Sequence, residues 1–362
     1  MRKTLYLHIG HFKTGTTAIQ EFLSHNPEFL KRQKLCYARS ARQYAKHSDL
    51  AYSLYLAAGV ETLLHGYNKP QTPQQLWQNL FEELRSSRAS RMIVSTEELI
   101  RLAGFPKALD AFKEIVATAP DIDFKVIAYL RAPESHLRSW YNQLVKMKIA
   151  TPSYNSAVTG FMEKVHYDYG FALGPWIEMF GAKSVILRSY CDEVRQGNAL
   201  FHDFLSIFDV NLPARGVDFL GREANPRLAD KSIEVMRVMQ NAKAPIPVIK
   251  PTVERYNDFL DKELVEGIGP KPDELAPIRQ QVLDGLDQLG QKMPEFAETL
   301  SGFRERLPQG DEQTVRDGWL LAGFLLSEIH SLRKVLNLKN AEFASRIEAL
   351  ERACTSKETT QS

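Results

Sequence analysis

Apolar positions in the first half of the chain come in short bursts set between longer periodic stretches. Residues 3–9 (Lys-Thr-Leu-Tyr-Leu-His-Ile) are apolar, rich in strand formers, and stop at Gly10. A helical spacing begins near Thr17, with Ile19, Phe22 and Leu23 on one face. Residues 26–50 are polar and basic with weak periodicity. Helical patterns recur over 52–64, 73–84 and 107–117, and strand patterns over 91–95, 124–130 and 184–187. The run 124–130 (Phe-Lys-Val-Ile-Ala-Tyr-Leu) reads as the clearest buried strand. Pro133 follows it where proline suits a first helical turn. The helix predicted from there to about residue 148 carries Leu137, Trp140, Leu144 and Val145 on one face. Strands alternating with helices predict an α/β domain with a parallel central sheet of four to five strands, covered on both faces.

After about residue 210 the strand signals fade. Helical patterns over 229–241, 251–265, 273–290, 312–336 and 340–353 predict a helical C-terminal part, and the last eight polar residues predict a frayed end. This divides the chain into an α/β domain over 1–240 and a helical extension over 241–362 packed on the same domain.

Length and composition narrow the class. The 362 residues are 44% hydrophobic and 25% charged, enough for a sizeable core and unlike a disordered chain. Net charge is only +2, but residues 1–48 carry nine lysines and arginines against two glutamates, a local excess of +7. That asymmetry points to a local anion site rather than to a surface that coats nucleic acid. Cys36, Cys191 and Cys354 are far apart and form no CxxC pair, which argues against a disulfide framework and against a zinc site. The basic start is followed by an apolar run too short for a signal peptide, and no stretch approaches the ~20 apolar residues of a membrane span. The expectation is a cytoplasmic protein without a stable membrane span.

The first loop carries the first chemistry. It reads Gly10-His11-Phe12-Lys13-Thr14-Gly15-Thr16-Thr17. A loop that leaves a buried strand and enters a helix presents unpaired N–H groups and the positive end of the helix dipole, which together favour an anion. Gly15 allows close backbone approach, Thr16 and Thr17 add hydroxyls, and Lys13 adds a mobile charge. The lysine precedes the glycine, so this is not a Walker A loop. Arg131 ends the strongest strand, where ligands of open α/β sheets collect, and Ser139 follows two helical turns later. The planar guanidinium fork suits a phosphate. A magnesium-dependent kinase usually ends a core strand in aspartate; here the residue is Arg131, which favours metal-free chemistry on a nucleotide with two separated anionic groups.

Together these elements resemble the PAPS-dependent sulfotransferases, especially bacterial members related to glycan sulfotransferases. PAPS is 3′-phosphoadenosine 5′-phosphosulfate. Lys13-Thr14-Gly15-Thr16-Thr17 is similar to that family's 5′-phosphosulfate loop, and Arg131 with Ser139 to its 3′-phosphate pair. Leu7-His8-Ile9-Gly10, Tyr141-Asn142-Gln143, Tyr167-Asp168-Tyr169 before Trp176, and Phe180-Gly181 extend the resemblance over roughly residues 1–240. Phe12 stands where many members have proline, and Ala18 where animal members have tryptophan. The family's Arg-Lys-Gly lid has no match, and Gly221-Arg222-Glu223-Ala224-Asn225-Pro226 occupies a comparable place.

The resemblance implies a P-loop-like three-layer fold. It also implies transfer of a sulfuryl group from PAPS to a hydroxyl with release of PAP, no metal, and a base after the second core strand. Glu97 is the expected base, Glu98 the runner-up, because one residue of register decides which carboxylate faces inward. Lys13 would stabilise the departing phosphate. His47, His166 and Tyr169 are further candidates to touch the acceptor, while His8 reads as a core residue. Glutamate at the base position leans towards a carbohydrate acceptor: a polysaccharide, glycolipid or oligosaccharide. The readings left open are a small-molecule kinase using ATP and Mg²⁺, and a non-catalytic nucleotide-binding protein. Oligomeric state is not legible at this level.

Overall fold

The computed structural model describes residues 2–60, 63, 71–219, 230–260, 273–310 and 315–358. The described residues fall into two units: those within 1–228 together with 273–310, and those within 229–272 together with 311–362. A single boundary at 240 would leave 273–310 with the extension; the contacts group it with the α/β unit.

The first unit is built on β1 (Lys3–His8), β2 (Leu35–Tyr37), β3 (Arg91–Ser95), β4 (Ile122–Leu130) and β5 (Val185–Ser189). They form one sheet in the order β2-β3-β1-β4-β5. Every pairing is parallel, with Leu7 opposite Val94 on one side and Val126 on the other. The helices are α1 (Thr16–His25), α2 (Pro27–Arg32), α3 (Ser48–Ala57), α4 (Pro73–Ser86), α5 (Pro106–Ala117), α6 (Pro133–Lys146), α7 (Tyr154–Gly160), α8 (Tyr169–Phe180) and α9 (Ala199–Ser206). A 3₁₀ segment, Glu97–Gly104, follows β3.

The three layers follow from alternation along the strands. Ile127 and Tyr129 of β4 and Ile93 of β3 pack with Ile19, Phe22 and Leu23 of α1 and with Phe201 and Phe204 of α9. Phe124 faces the opposite way, against Phe81 of α4 and Phe180 of α8. Phe112 of α5 bridges Trp77 and Trp176 on that side. Helix starts follow local chemistry: Thr72 and Gln75 form a reciprocal capping box on α4, and proline opens α4, α5 and α6.

The expected α/β architecture is present, with five strands. β2 lies in the segment read as merely polar, and β4 begins two residues early, where Ile122 pairs with Lys3 and Asp123 meets Arg2. α3 starts at Ser48 and ends at Ala57; residues 61, 62 and 64 of the predicted helix lie outside the described residues.

Helices α12 (Ala276–Lys292) and α13 (Ala297–Arg304) belong to this unit as well. α12 crosses α8 closely because glycines meet at the crossing. A Cβ on Gly170 would lie 2.7 Å from the Gly285 carbonyl oxygen, and one on Gly285 would collide with Asp168. Asp168 in turn caps α8 through the Phe171 N–H, 2.8 Å away.

The second unit contains α10 (Asp230–Asn241), α11 (Ile246–Leu260) and α14 (Val315–Glu358). α14 is a single helix of 44 residues where the sequence pattern predicts two, and it runs through part of the tail expected to fray. No Gly or Pro lies between 337 and 340 to break it; the polar Asn337, Lys339 and Asn340 interrupt the apolar pattern but not the backbone. Among the described residues no helix is long and apolar enough to cross a membrane.

Candidate functional site

The sheet order brings the predicted site residues to one edge. β1 lies between β3 and β4, so the loop 10–15, Glu97 and Arg131 leave the carboxyl ends of three adjacent parallel strands. The chain builds out from β1 to one side through β2 and β3, then crosses to the other side with β4. The crevice beside β1 is therefore the switch point at which such sheets bind ligands.

The loop is held by its own backbone needs. Lys13 has φ 62° and Gly15 φ 80°. At Gly15 a Cβ would also meet Leu200 Cδ2 at 2.6 Å, so only glycine fits this turn. Thr14 is buried and donates to the His11 carbonyl at 2.6 Å. Thr16 is buried and Thr17 exposed in the first turn of α1. No side chain caps this helix start.

Lys13 Nζ donates to Gln143 Oε1 of α6 at 3.1 Å. Burial, followed by the positive charges of Lys146 and Arg131, lowers its pKa, and Glu97 opposes that shift. Four charged groups thus sense one another here. Arg131 is half-buried, and its carbonyl accepts a 2.7 Å hydrogen bond from the Tyr169 hydroxyl. Ser139 is half-buried on α6.

The two glutamates part company. Glu97, with its side chain 13% exposed, packs against the loop, where a Cβ on Gly10 would lie 3.2 Å from its own Cβ. Its Oε2 accepts from Gln20 Nε2 at 3.0 Å, and Lys46 Nζ lies 3.9 Å from Oε1. Gln20 also donates to Ser95 Oγ (3.2 Å), which contacts His8 Nδ1 at 2.7 Å. This chain of side chains fixes the carboxylate. Glu98 is buried on the other side. Tyr52 donates to it at 3.0 Å and Arg101 at 3.2 Å, and Arg101 is itself held by Glu163. Burial pushes the Glu98 carboxyl up to about 7, with Arg101 opposing.

The other predicted residues are interior. His47 Nδ1 accepts from the Ser95 N–H at 3.2 Å, and Nε2 faces the Ala38 carbonyl at 3.0 Å. Neither ring nitrogen is left for an acceptor. Tyr169 is buried, and its hydroxyl is spent on the Arg131 carbonyl. His166 lies 3.2 Å from His136 and stacks on Trp140. It also lines a cavity of about 140 Å³ with Arg101, Trp140, Leu144, Phe161 and Met162. His8 is a core residue, as read. The segment 221–226 lies outside the described residues.

His11, His136 and His166 each offer a ring nitrogen, all within 4.8 Å of one another. The set does not suit a metal. His11 is committed, accepting from the Phe12 N–H at 2.8 Å and facing the Val165 carbonyl at 2.8 Å. No carboxylate belongs to the set. The fields of Arg131, Lys13 and Arg101 all act on these rings, so a dication would sit among positive charges.

Gln20 and Lys146 carry no signal in the sequence, and Gln143 stands there only within the Tyr141-Asn142-Gln143 segment, with nothing to tie it to Lys13. Each acts across long sequence separation, so no local pattern marks it.

No family model matches the chain, and no curated protein matches it. Among solved structures it is similar to a sulfotransferase from Alicyclobacillus acidocaldarius. That similarity spans 68% of this chain and 98% of the other, with 15% identity and a TM-score of 0.37. So distant a likeness leaves the chemistry to the site's own geometry.

Proposed function

We propose that this protein transfers a sulfuryl group from PAPS to an acceptor hydroxyl and releases PAP. The observation that carries the reading is the convergence of Lys13, Glu97 and Arg131 at the carboxyl ends of three neighbouring strands, beside a helix start with no side-chain cap. The uncapped N–H groups of α1, the turn at Gly15 and the cationic cluster suit the charged 5′ end of the donor. Thr14, Thr16 and Thr17 complete that cradle, and Arg131 with Ser139 holds the 3′-phosphate.

Glu97 takes the acceptor proton as the acceptor oxygen bonds to sulfur. The bond from sulfur to the bridging phosphate oxygen breaks, and Lys13 neutralises the charge that collects on that oxygen. Gln20 is a positioning residue for Glu97, and Gln143 for Lys13. The transfer requires no metal. The acceptor class follows from the sequence resemblance and is a carbohydrate, with the cavity beside His166 as room for its non-reacting part.

Calorimetric titration tests the donor. PAP is expected to bind without Mg²⁺, and ATP weakly. Binding of ATP that depends on Mg²⁺, with indifference to PAP, would replace this reading by a kinase. A protein that binds PAP but turns over no acceptor hydroxyl in a broad sugar panel would retain only the nucleotide site.

A further inference from the structure

Helix α14 has two unlike parts. Its beginning is anchored within its own unit: Phe324 is buried with Val235, Ile249, Val253 and Tyr256, and Arg255 grips Glu328 at 2.6 Å. From residue 331 to residue 349, every position is exposed. Long helices draw most of their stability from packing an apolar face, which this stretch does not do on its own.

Most of the large exposed apolar residues of α14 share one face, with Val335 and Leu338 off it. Leu325, Ile329, Leu332, Leu336, Phe343 and Ile347 are all exposed. At about 100° per residue they fall within roughly 60° of arc. Ile329, Leu336 and Phe343 recur every seventh position, and the companion row runs Leu325, Leu332, Lys339 and Arg346, apolar in its first half and basic in its second. That is the seam of a coiled coil, a pattern that fits another helix better than a sheet or a pocket. Lys334, Glu342 and Glu348 lie away from the stripe.

We propose that this stripe binds a second copy of the same chain, with two α14 helices pairing into a dimer. A two-fold pair uses the same patch on both chains and needs no other complementary surface. The area is adequate. Six large apolar side chains, each about half exposed, offer on the order of 80–100 Å² apiece, roughly 500–600 Å² together, and the aliphatic stems of Lys339 within the second row and Arg333 beside the stripe add to this. The sum approaches the ~800 Å² per partner of a stable interface. This inference does not depend on the chemistry proposed above.

Sedimentation of the full chain tests it. The dimer mass is expected at about 10 µM protein. Leu336→Asp should raise the dissociation constant at least tenfold and shift the population to monomer. Leu338→Asp is the control: the residue is as exposed (65% against 59%) but points to the opposite side of the helix, and its variant should remain dimeric. Phe343→Asp provides a second break in the seam. Circular dichroism melts of each variant report whether the chain is folded. A wild-type monomer at that concentration, or a dimer that survives Leu336→Asp combined with Phe343→Asp, would overturn the proposal. So would equal dissociation by the 336 and 338 variants.

Discussion

Two groups of titratable residues lie back to back at the end of β1, and they have opposite fates. At the mouth, Lys13, Glu97 and Arg131 are at most partly exposed, and their charges act on one another. Behind it His11, only two residues from Lys13, joins His136 and His166 in the interior with no exposure to speak of. Burial lowers the pKa of His11 to about 4, and those of His136 and His166 well below the usual histidine range. The same loop thus turns one side chain toward the proposed site and another into the interior. Depth, not residue type, decides which.

That contrast yields its largest effect in acid. His8 and His47, buried elsewhere in the sheet layers, are lowered to about 3 and about 4. A group with a depressed folded-state value contributes stability above its unfolded value near 6.5, and loses it as pH falls toward the folded value. His11, lowered to about 4, accounts for about 3 kcal/mol across that window, and the five histidines act together. Thermal melts of the wild type should show Tm falling steeply between about pH 6.5 and pH 4.5. A flat Tm over that range would mean the rings are solvated and the interior description is wrong.

At the mouth the expected loss is in rate. Lys13→Ala should lower turnover by about 10²- to 10³-fold while changing PAP affinity little, because its charge matters most as the bond breaks. Single-turnover kinetics with PAPS measures the first and calorimetry the second. Intact turnover would remove Lys13 from the mechanism.

The two glutamates sharpen the same contrast one residue apart. Glu97→Gln should reduce turnover by about 10²- to 10⁴-fold, whereas Glu98→Gln should keep most of it. Glu98 leaves a different mark. Its value of about 7 lies above the unfolded carboxylate value, so its contribution is present below about pH 4.5 and lost as pH rises through 7. The lost contribution is about 3 kcal/mol. Subtracting the Glu98→Gln stability curve from that of the wild type should isolate this downward slope, opposite in sign to that of the histidines. Full activity in Glu97→Gln would transfer the role of base elsewhere.

Much of this was legible in sequence where the signal is local. Strands 91–95 and 124–130 stand out because continuous apolar runs must be buried on both faces, and the loop stands out because Lys13, Gly15 and the threonines crowd together between a strand and a helix. β2 escaped because Leu35–Tyr37 is too short to show a period inside a basic segment. His47 invited a role in sequence because polar, charged neighbours surround it; the fold turns it inward, between the Ser95 N–H and the Ala38 carbonyl. The choice between Glu97 and Glu98 is visible only once Gln20 approaches from α1 and Arg101 from the 3₁₀ segment. The partners Gln143 and Lys146 come from a helix about 130 residues downstream of Lys13, a separation that no spacing rule spans.

The smallest effect lies on the donor's non-reacting end, and it separates holding from reacting. Arg131 follows β4 immediately, and its backbone is pinned by Tyr169, so the guanidinium starts from a fixed point. A charge-assisted contact of arginine with phosphate is worth about 2 kcal/mol, or roughly 10- to 100-fold in affinity. Arg131→Ala should weaken PAP by that factor, and Ser139→Ala by less, since a neutral hydroxyl makes the weaker bond. Neither should weaken adenosine 5′-phosphosulfate, which lacks the 3′-phosphate. That last comparison carries the argument. If Arg131→Ala weakened both nucleotides alike, the residue would be shaping the loop mouth as a whole, and the 3′-phosphate would have to be held elsewhere.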